Sequence, residues 1–275
     1  MRSLDFNNKW ILVTGASSGL GYEMACQLAR HHKANLIIAA RREDKLNQLK
    51  ADLEQQENIQ VKVVVADLSV PQDVERLIAE CLTGQQLYGA ILNAGFTHFG
   101  PHAELSEDKF ELLMRTNVIS VVRITGELVK YFEKSGSEGG IMIVSSMAGI
   151  FPVPYQAAYS GTKSFLIGFA NALAHEIKSS VLSLTIFAPA GVVTEMTATE
   201  KFNGLKGWLM PVTEAAKEGI FALKHRKFNY LPGAVNRFGN IFMKLLPKKL
   251  IIGILAKIYQ RSLAKVELSK KAKNT

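Results

Sequence analysis

The chain has 275 residues, 48% of them hydrophobic, and a formal net charge of +9. That suits one large α/β domain, and no stretch spans a bilayer, because the longest uncharged one, residues 179–194, is broken by polar residues and Pro189. Ten Lys or Arg against one acid lie between residues 237 and 275, so the body is neutral and the excess sits at the C-terminal end, which argues against a nucleic-acid binder.

Apolar runs of strand length alternate with amphipathic segments of helix length. In chain order the pattern predicts a strand at 10–14, a helix at 19–31, a strand at 35–40, a helix at 43–56, a strand at 60–66 and a helix at 71–81. A strand at 89–92, a helix at 106–131, a strand at 141–145, a helix at 157–178 and strands at 182–187 and 228–231 follow. The strands are rich in Ile, Leu and Val without alternation, as strands buried on both faces are. Pro71 opens one helix. Ser106, followed by Glu107 and Asp108, reads as the N-cap of another. This alternation implies a doubly wound parallel sheet of about seven strands, helices on both faces, and ligands beyond the carboxyl ends of the strands.

The first predicted strand runs into Thr14-Gly15-Ala16-Ser17-Ser18-Gly19-Leu20-Gly21, directly before a helix. Glycines there let backbone approach a pyrophosphate, and the helix start offers free N–H groups. The second strand ends in Arg41 and Arg42, with no carboxylate to take ribose hydroxyls. Two guanidinium forks suit a 2′-phosphate, so the cofactor expected is NADP(H). Asp67 follows the third strand and is a candidate acceptor for an adenine amino group. Tyr159 and Lys163 stand four apart on one helix face, where an ammonium favours a phenolate. Ser145 and Ser146 end the strand before them, where a hydroxyl can hold a substrate oxygen. No histidine pair has metal-ligand spacing, and no metal is expected.

These segments together resemble the short-chain dehydrogenase/reductase family. The matching stretches are residues 14–21, Asp67-Leu68, Leu92-Asn93-Ala94-Gly95, Asn117, Ser146 with Tyr159 and Lys163, and Pro189 through Thr194, in family order from about residue 9 to 195. The resemblance implies a single Rossmann fold and interconversion of a carbonyl and an alcohol by hydride transfer. It implies Tyr159 as general acid in reduction, Lys163 binding the nicotinamide ribose and lowering the tyrosine pKa, Ser146 orienting the carbonyl, and Asn117 holding a water in a proton relay. It further implies cofactor contacts from Gly15, Ser17, Ser18, Gly19, Leu20 and Gly21, from Arg41 at the 2′-phosphate with Arg42, from Asp67 and Leu68, from Asn93, Ala94 and Gly95, and from Pro189, Val192 and Thr194. Pro189-Ala190-Gly191 departs from the family's usual Pro-Gly. A homodimer or homotetramer is the family's usual state. The competing reading is a non-catalytic NADP(H)-binding sensor or a membrane-associated scaffold; the intact Ser146, Tyr159, Lys163 and Asn117 argue for catalysis.

The segment from Thr194 to Met210, with Glu195, Met196, Phe202 and Trp208, is expected to cover a partly apolar substrate. Residues 1–232 form the nucleotide-binding and catalytic domain, 233–268 a basic amphipathic helical extension of it, and 269–275 a disordered tail. Val235, Phe238, Ile241, Phe242, Leu245 and Leu246 recur at helical spacing, with lysines interspersed. Two readings stay open for this extension: an interfacial element at lipid, or a helical lid or oligomer contact. Cys26 and Cys81 form no CxxC, Cys26 reading as a buried structural thiol, and the N-terminus lacks an apolar signal core, so a cytoplasmic, optionally membrane-associated protein is expected.

Overall fold

The computed structural model describes residues 2–179 and 181–273. Seven parallel strands form one sheet in the order β3-β2-β1-β4-β5-β6-β7. They are β1 (Trp10–Thr14), β2 (Asn35–Ala40), β3 (Val61–Val65), β4 (Leu87–Leu92), β5 (Gly139–Val144), β6 (Leu182–Phe187) and β7 (Asn229–Tyr230). β4, β5 and β6 are buried along their whole length. That burial explains why β4 and β5 carry apolar runs with no charged or strongly polar alternation, while β6 buries Ser183 and Thr185 among its apolar residues.

Helices cover both faces. Met24 and Leu28 of α1 (Gly19–His32), Leu46 and Leu49 of α2 (Glu43–Glu57) and Ile220 and Leu223 of α8 (Val212–Lys224) build the core on one side. On the other, Val74 and Leu77 of α3 (Pro71–Leu82), Ile124 and Leu128 of α5 (Ser120–Ser135) and Leu166 and Ala170 of α7 (Ala157–Glu176) pack against β4, β5 and β6. The strand order reverses direction between β1 and β4, and the crevice outside their carboxyl ends is where such sheets bind ligands.

The helix expected at 106–131 is broken. α4 (Glu107–Met114) gives way to a π-helical turn at Arg115–Ile119, and α5 continues from Ser120. Ser106 has extended N-cap backbone, yet its side chain makes no capping bond. The π turn carries Asn117, which is fully buried. Single π turns inside α-helices shift side chains out of helical phase and gather at functional sites.

After β7 the chain forms α9 (Ala234–Leu245) and α10 (Lys248–Lys273). Of the tail expected to be disordered, residues 269–273 belong to α10, and residues 274 and 275 lie outside the described residues. Among the described residues no helix is long and apolar enough to cross a membrane. The remaining helix is the short α6 (Met147–Ile150).

Candidate active site

Thr14 closes the top of the sheet. Its hydroxyl accepts the backbone N–H groups of Asn93 (3.0 Å) and Ala94 (3.1 Å), while the Asn93 amide donates to the Thr14 carbonyl at 3.1 Å. The tips of β1 and β4 are thereby locked together. The glycine turn lies directly on this lock. Gly15 has φ +69°, and a Cβ there would sit 2.9 Å from Ala94 Cα. A Cβ on Gly21 would sit 2.5 Å from both Asn93 Nδ2 and the Gly15 carbonyl. Only glycine fits either place. Ser18 makes no side-chain cap on α1, and the first turn of α1 holds no acid. Its N–H groups and positive dipole end are left for an anionic ligand, so the cradle fits the pyrophosphate of a dinucleotide.

At the tip of β2 the two arginines differ. Arg42 donates from Nη2 to Ser18 Oγ (2.6 Å) and to Ser17 Oγ (3.1 Å), and from Nη1 to Glu195 (3.0 Å). Arg41 is mostly exposed, and its one ion pair among the described residues is with Asp67, at 4.0 Å. Asp67 is itself held by the Ser69 N–H (2.9 Å) and hydroxyl (2.7 Å) through one carboxylate oxygen.

The strand β5 delivers two serines with separate jobs. Ser145 is buried and donates to the Lys163 carbonyl at 2.9 Å. Ser146 caps α6, accepting the Ala148 N–H at 3.1 Å. Lys163 answers from α7, its ammonium donating to the Val144 carbonyl at 2.8 Å. The start of α7 is thus stitched to the tip of β5 in both directions. Tyr159 lies one turn before Lys163, with the ammonium 5.8 Å from its ring centroid.

The protonation of this pair departs from the sequence expectation. Burial pushes the Tyr159 hydroxyl above the ordinary phenol value, and the neighbouring Ser146 hydroxyl offsets this only in part. Burial also draws the Lys163 ammonium down to about 8. The expected acidification of the phenol by the ammonium is absent here. Removing both groups from water disfavours both charges.

Asn117 is held by Phe96, donating to its carbonyl (2.9 Å) and accepting its N–H (3.1 Å). Gly95 separates Asn117 from Lys163: a Cβ on it would lie 3.0 Å from Asn117 Oδ1 and 3.6 Å from Lys163 Nζ. Pro189 offers its carbonyl to the Met147 N–H at 2.9 Å. The extra residue in Pro189-Ala190-Gly191 is accommodated by pairing with the following segment, where Met210 N–H donates to the Gly191 carbonyl (2.8 Å) and Val192 bridges to Met210. Thr194 opens a short 3-10 turn, Glu195–Thr197, through a capping box with Thr197.

One chamber of about 1000 Å³ gathers these residues. Gly15, Ser17, Ser18, Gly19 and Leu20 line it, with Arg41, Arg42, Asp67 and Leu68 at the tips of β2 and β3. Asn93, Ala94, Gly95, Ser146, Tyr159 and Lys163 line it too, as do Pro189, Val192 and Thr194. Gly21 and Asn117 are the expected site residues that do not face it; Gly21 is packed behind the turn and Asn117 behind Gly95.

A second set of lining residues was legible only in part: Phe202 and Leu205 fall in the segment 194–210 expected to cover the substrate, whereas Thr97, Gln156, Ile258 and Tyr259 were not foreseen. Thr97 and Gln156 meet inside, the amide donating to the hydroxyl at 2.9 Å. Phe202 and Leu205 come from the 3-10 segment Glu200–Trp208, and Ile258 and Tyr259 from α10. Phe99 packs edge-on to both Phe202 (4.9 Å between centroids) and Tyr259 (5.3 Å), and Ser262 donates to the Lys201 carbonyl at 2.7 Å. So α10 is a wall of the chamber. Burial drives the Tyr259 hydroxyl up to about 12, with Tyr159 near enough to add to the shift. The apolar periodicity of the extension was visible beforehand; what it packs on was not.

A glycine-lined turn under a switch in strand order, beside a half-buried tyrosine and a buried lysine, defines a nucleotide-binding α/β oxidoreductase site. The chain belongs to the short-chain dehydrogenase family, whose model matches residues 9–203. It is 29% identical over 260 residues to the dehydrogenase/reductase SDR family protein 7-like of Dictyostelium discoideum, covering 88% of this chain and 79% of that one. It is 27% identical over 274 residues to the very-long-chain 3-oxoacyl-CoA reductase of Mus musculus, covering 97% and 84%. Its fold matches a short-chain dehydrogenase from Sphingobium yanoikuyae in complex with NADPH, at TM-score 0.78 and 24% identity over 86% of this chain and 94% of that one.

Gly21→Ala tests the cradle. The added methyl must displace Asn93 or the Gly15 carbonyl, so the variant is expected to lose about 1–3 kcal/mol of stability in denaturant melts. Dinucleotide affinity, read by quenching of protein fluorescence, is expected to fall with it.

Proposed function

We propose that this protein is an NADP(H)-dependent oxidoreductase that interconverts a carbonyl and an alcohol, and that its substrate is apolar and lipid-like. The observation that carries the reading is the meeting of Ser146, Tyr159 and Lys163 on the wall of the chamber that the glycine turn also lines. The kinship with a very-long-chain 3-oxoacyl-CoA reductase over nearly the whole chain supports a lipid-like substrate. So does the lining by Phe202, Leu205, Ile258 and Tyr259.

The cofactor supplies the hydride when bound. The chain's own residues supply position and the proton. The glycine turn and the start of α1 take the pyrophosphate. Arg41 presents an exposed fork to a 2′-phosphate, engaged only loosely by Asp67 at 4.0 Å, and the end of β2 carries no carboxylate to take the ribose hydroxyls instead. Lys163 has a single acceptor among the described residues for its buried ammonium, which leaves donors for ribose hydroxyls. Ser146 holds the carbonyl oxygen, and Tyr159 gives it a proton as the carbon is reduced. A phenol kept protonated by burial suits that direction. In oxidation the same phenol oxygen takes the alcohol proton. Asn117, beside Lys163 across Gly95, is the candidate anchor for the water that returns the proton to Tyr159.

Tyr159→Phe is expected to bind NADPH as the wild type does and to lose turnover by about 10²–10⁴-fold in an NADPH-oxidation assay against a carbonyl panel. Wild-type turnover in that variant removes Tyr159 as the acid. Arg41→Ala is expected to weaken NADPH binding by about 10–100-fold with NADH binding unchanged. An unchanged NADPH-to-NADH ratio assigns the 2′-phosphate elsewhere.

A further inference from the structure

The helix α9 is a wall with two unlike faces. Its inner side, with Asn236, Gly239 and Met243, lines the chamber. Its outer side carries Phe238, Ile241, Phe242 and Leu245, exposed to 65%, 57%, 67% and 78%, with Val235 at the rim where the two sides meet. Leu246, Leu250 and Ile254 extend the stripe into α10. Scattered exposed apolar residues are ordinary; a contiguous helical stripe of this size marks a contact surface.

Charge identifies the contact. Residues 219–266 hold ten Lys or Arg and no acid. Arg237 is neutralised by Glu218 at 2.6 Å. Lys244, Lys248, Lys249 and Lys257 have no acidic partner among the described residues. Lys244, Lys248 and Lys249 cluster where α9 meets α10, on the turn beside the exposed Leu245 and Leu246. An apolar stripe edged by free ammonium groups is complementary to an anionic lipid surface, which takes the side chains into its acyl boundary and the lysines at its headgroups. A second copy of the chain fits worse, because a two-fold contact through this stripe brings the same lysines together.

We propose that α9 and the first turns of α10 seat the protein on an anionic membrane surface, and that the substrate enters the chamber from the lipid past α9. The contact follows from the surface alone. The route rests on the reductase reading above, since it needs the chamber behind α9 to be the substrate chamber.

The test uses the full chain and two kinds of vesicle, phosphatidylcholine alone and phosphatidylcholine with 30% phosphatidylglycerol, in flotation at low and high salt. The wild type is expected to float with the anionic vesicles at low salt, at least tenfold more than with the neutral ones. Phe238→Ser with Phe242→Ser, both outside the chamber, is expected to cut flotation at least tenfold while the melting temperature holds. Lys244→Glu with Lys248→Glu is expected to abolish the preference for anionic vesicles. On the route, the serine variant is expected to keep wild-type turnover of a short water-soluble ketone and to lose turnover of a long-chain ketone dissolved in vesicles. No flotation of the wild type at low salt overturns the contact, as does equal flotation of the serine variant. A wild-type dimer by light scattering that the serine variant converts to monomer also overturns it in favour of a second copy. Flotation without turnover of any carbonyl leaves the contact standing and removes the reductase reading. Turnover without flotation does the reverse.

Discussion

The site depends on one constraint, the two-way stitch between β5 and α7. Lys163 donates to the carbonyl of Val144 while Ser145 donates to the carbonyl of Lys163. A buried ammonium with no acceptor is too costly to keep charged, so the carbonyl at the strand tip fixes where the lysine can be. Fixing the lysine fixes the first turns of α7, and with them Tyr159. The serine that follows in sequence, Ser146, leaves the strand on the other side of the same tip and caps α6. Strand register, helix start and chamber wall thus follow from a few buried hydrogen bonds.

The same molecule divides its charge. Residues before 237 are neutral overall and build the sheet, the cradle and the Tyr-Lys pair. The basic extension completes the chamber from outside. α10 brings Ile258 and Tyr259 against Phe99 and Phe202, and α9 closes the flank with Asn236 and Met243. The reading as a lid describes what α10 does. It leaves the outer stripe of α9 exposed, and that is the face for which the lipid contact is proposed.

Much of this was legible in the residues. β1, β2 and β6 have the bounds their apolar-rich runs predicted, because a strand buried on both faces is written mainly in apolar residues, with Ser183 and Thr185 of β6 buried among them. The glycine turn was legible because steric demand at Gly15 and Gly21 admits no other residue. The π turn at Asn117 was not, since one extra residue leaves the apolar spacing of residues 106–131 almost helical. The partners of the arginines were not legible either, because a pair at a strand tip does not say which one the glycine loop will hold; Arg42 has Ser17 and Ser18. The direction of the Tyr159 shift was misread because four-residue spacing reveals proximity and conceals burial. Desolvation acts on both groups and is the larger effect here.

In the proposed chemistry a protonated, half-buried phenol gives its proton to the substrate beside a lysine that is only just cationic. The most direct measurement is the single-turnover rate of NADPH-dependent carbonyl reduction across pH. With the phenol above its ordinary value and Lys163 near 8, the rate is predicted to stay level from pH 6 to about 7.5 and to fall as pH rises through about 8, when the ammonium loses its proton. A rate that climbs through that same interval would mean the reaction needs a deprotonated group there, and would contradict the account.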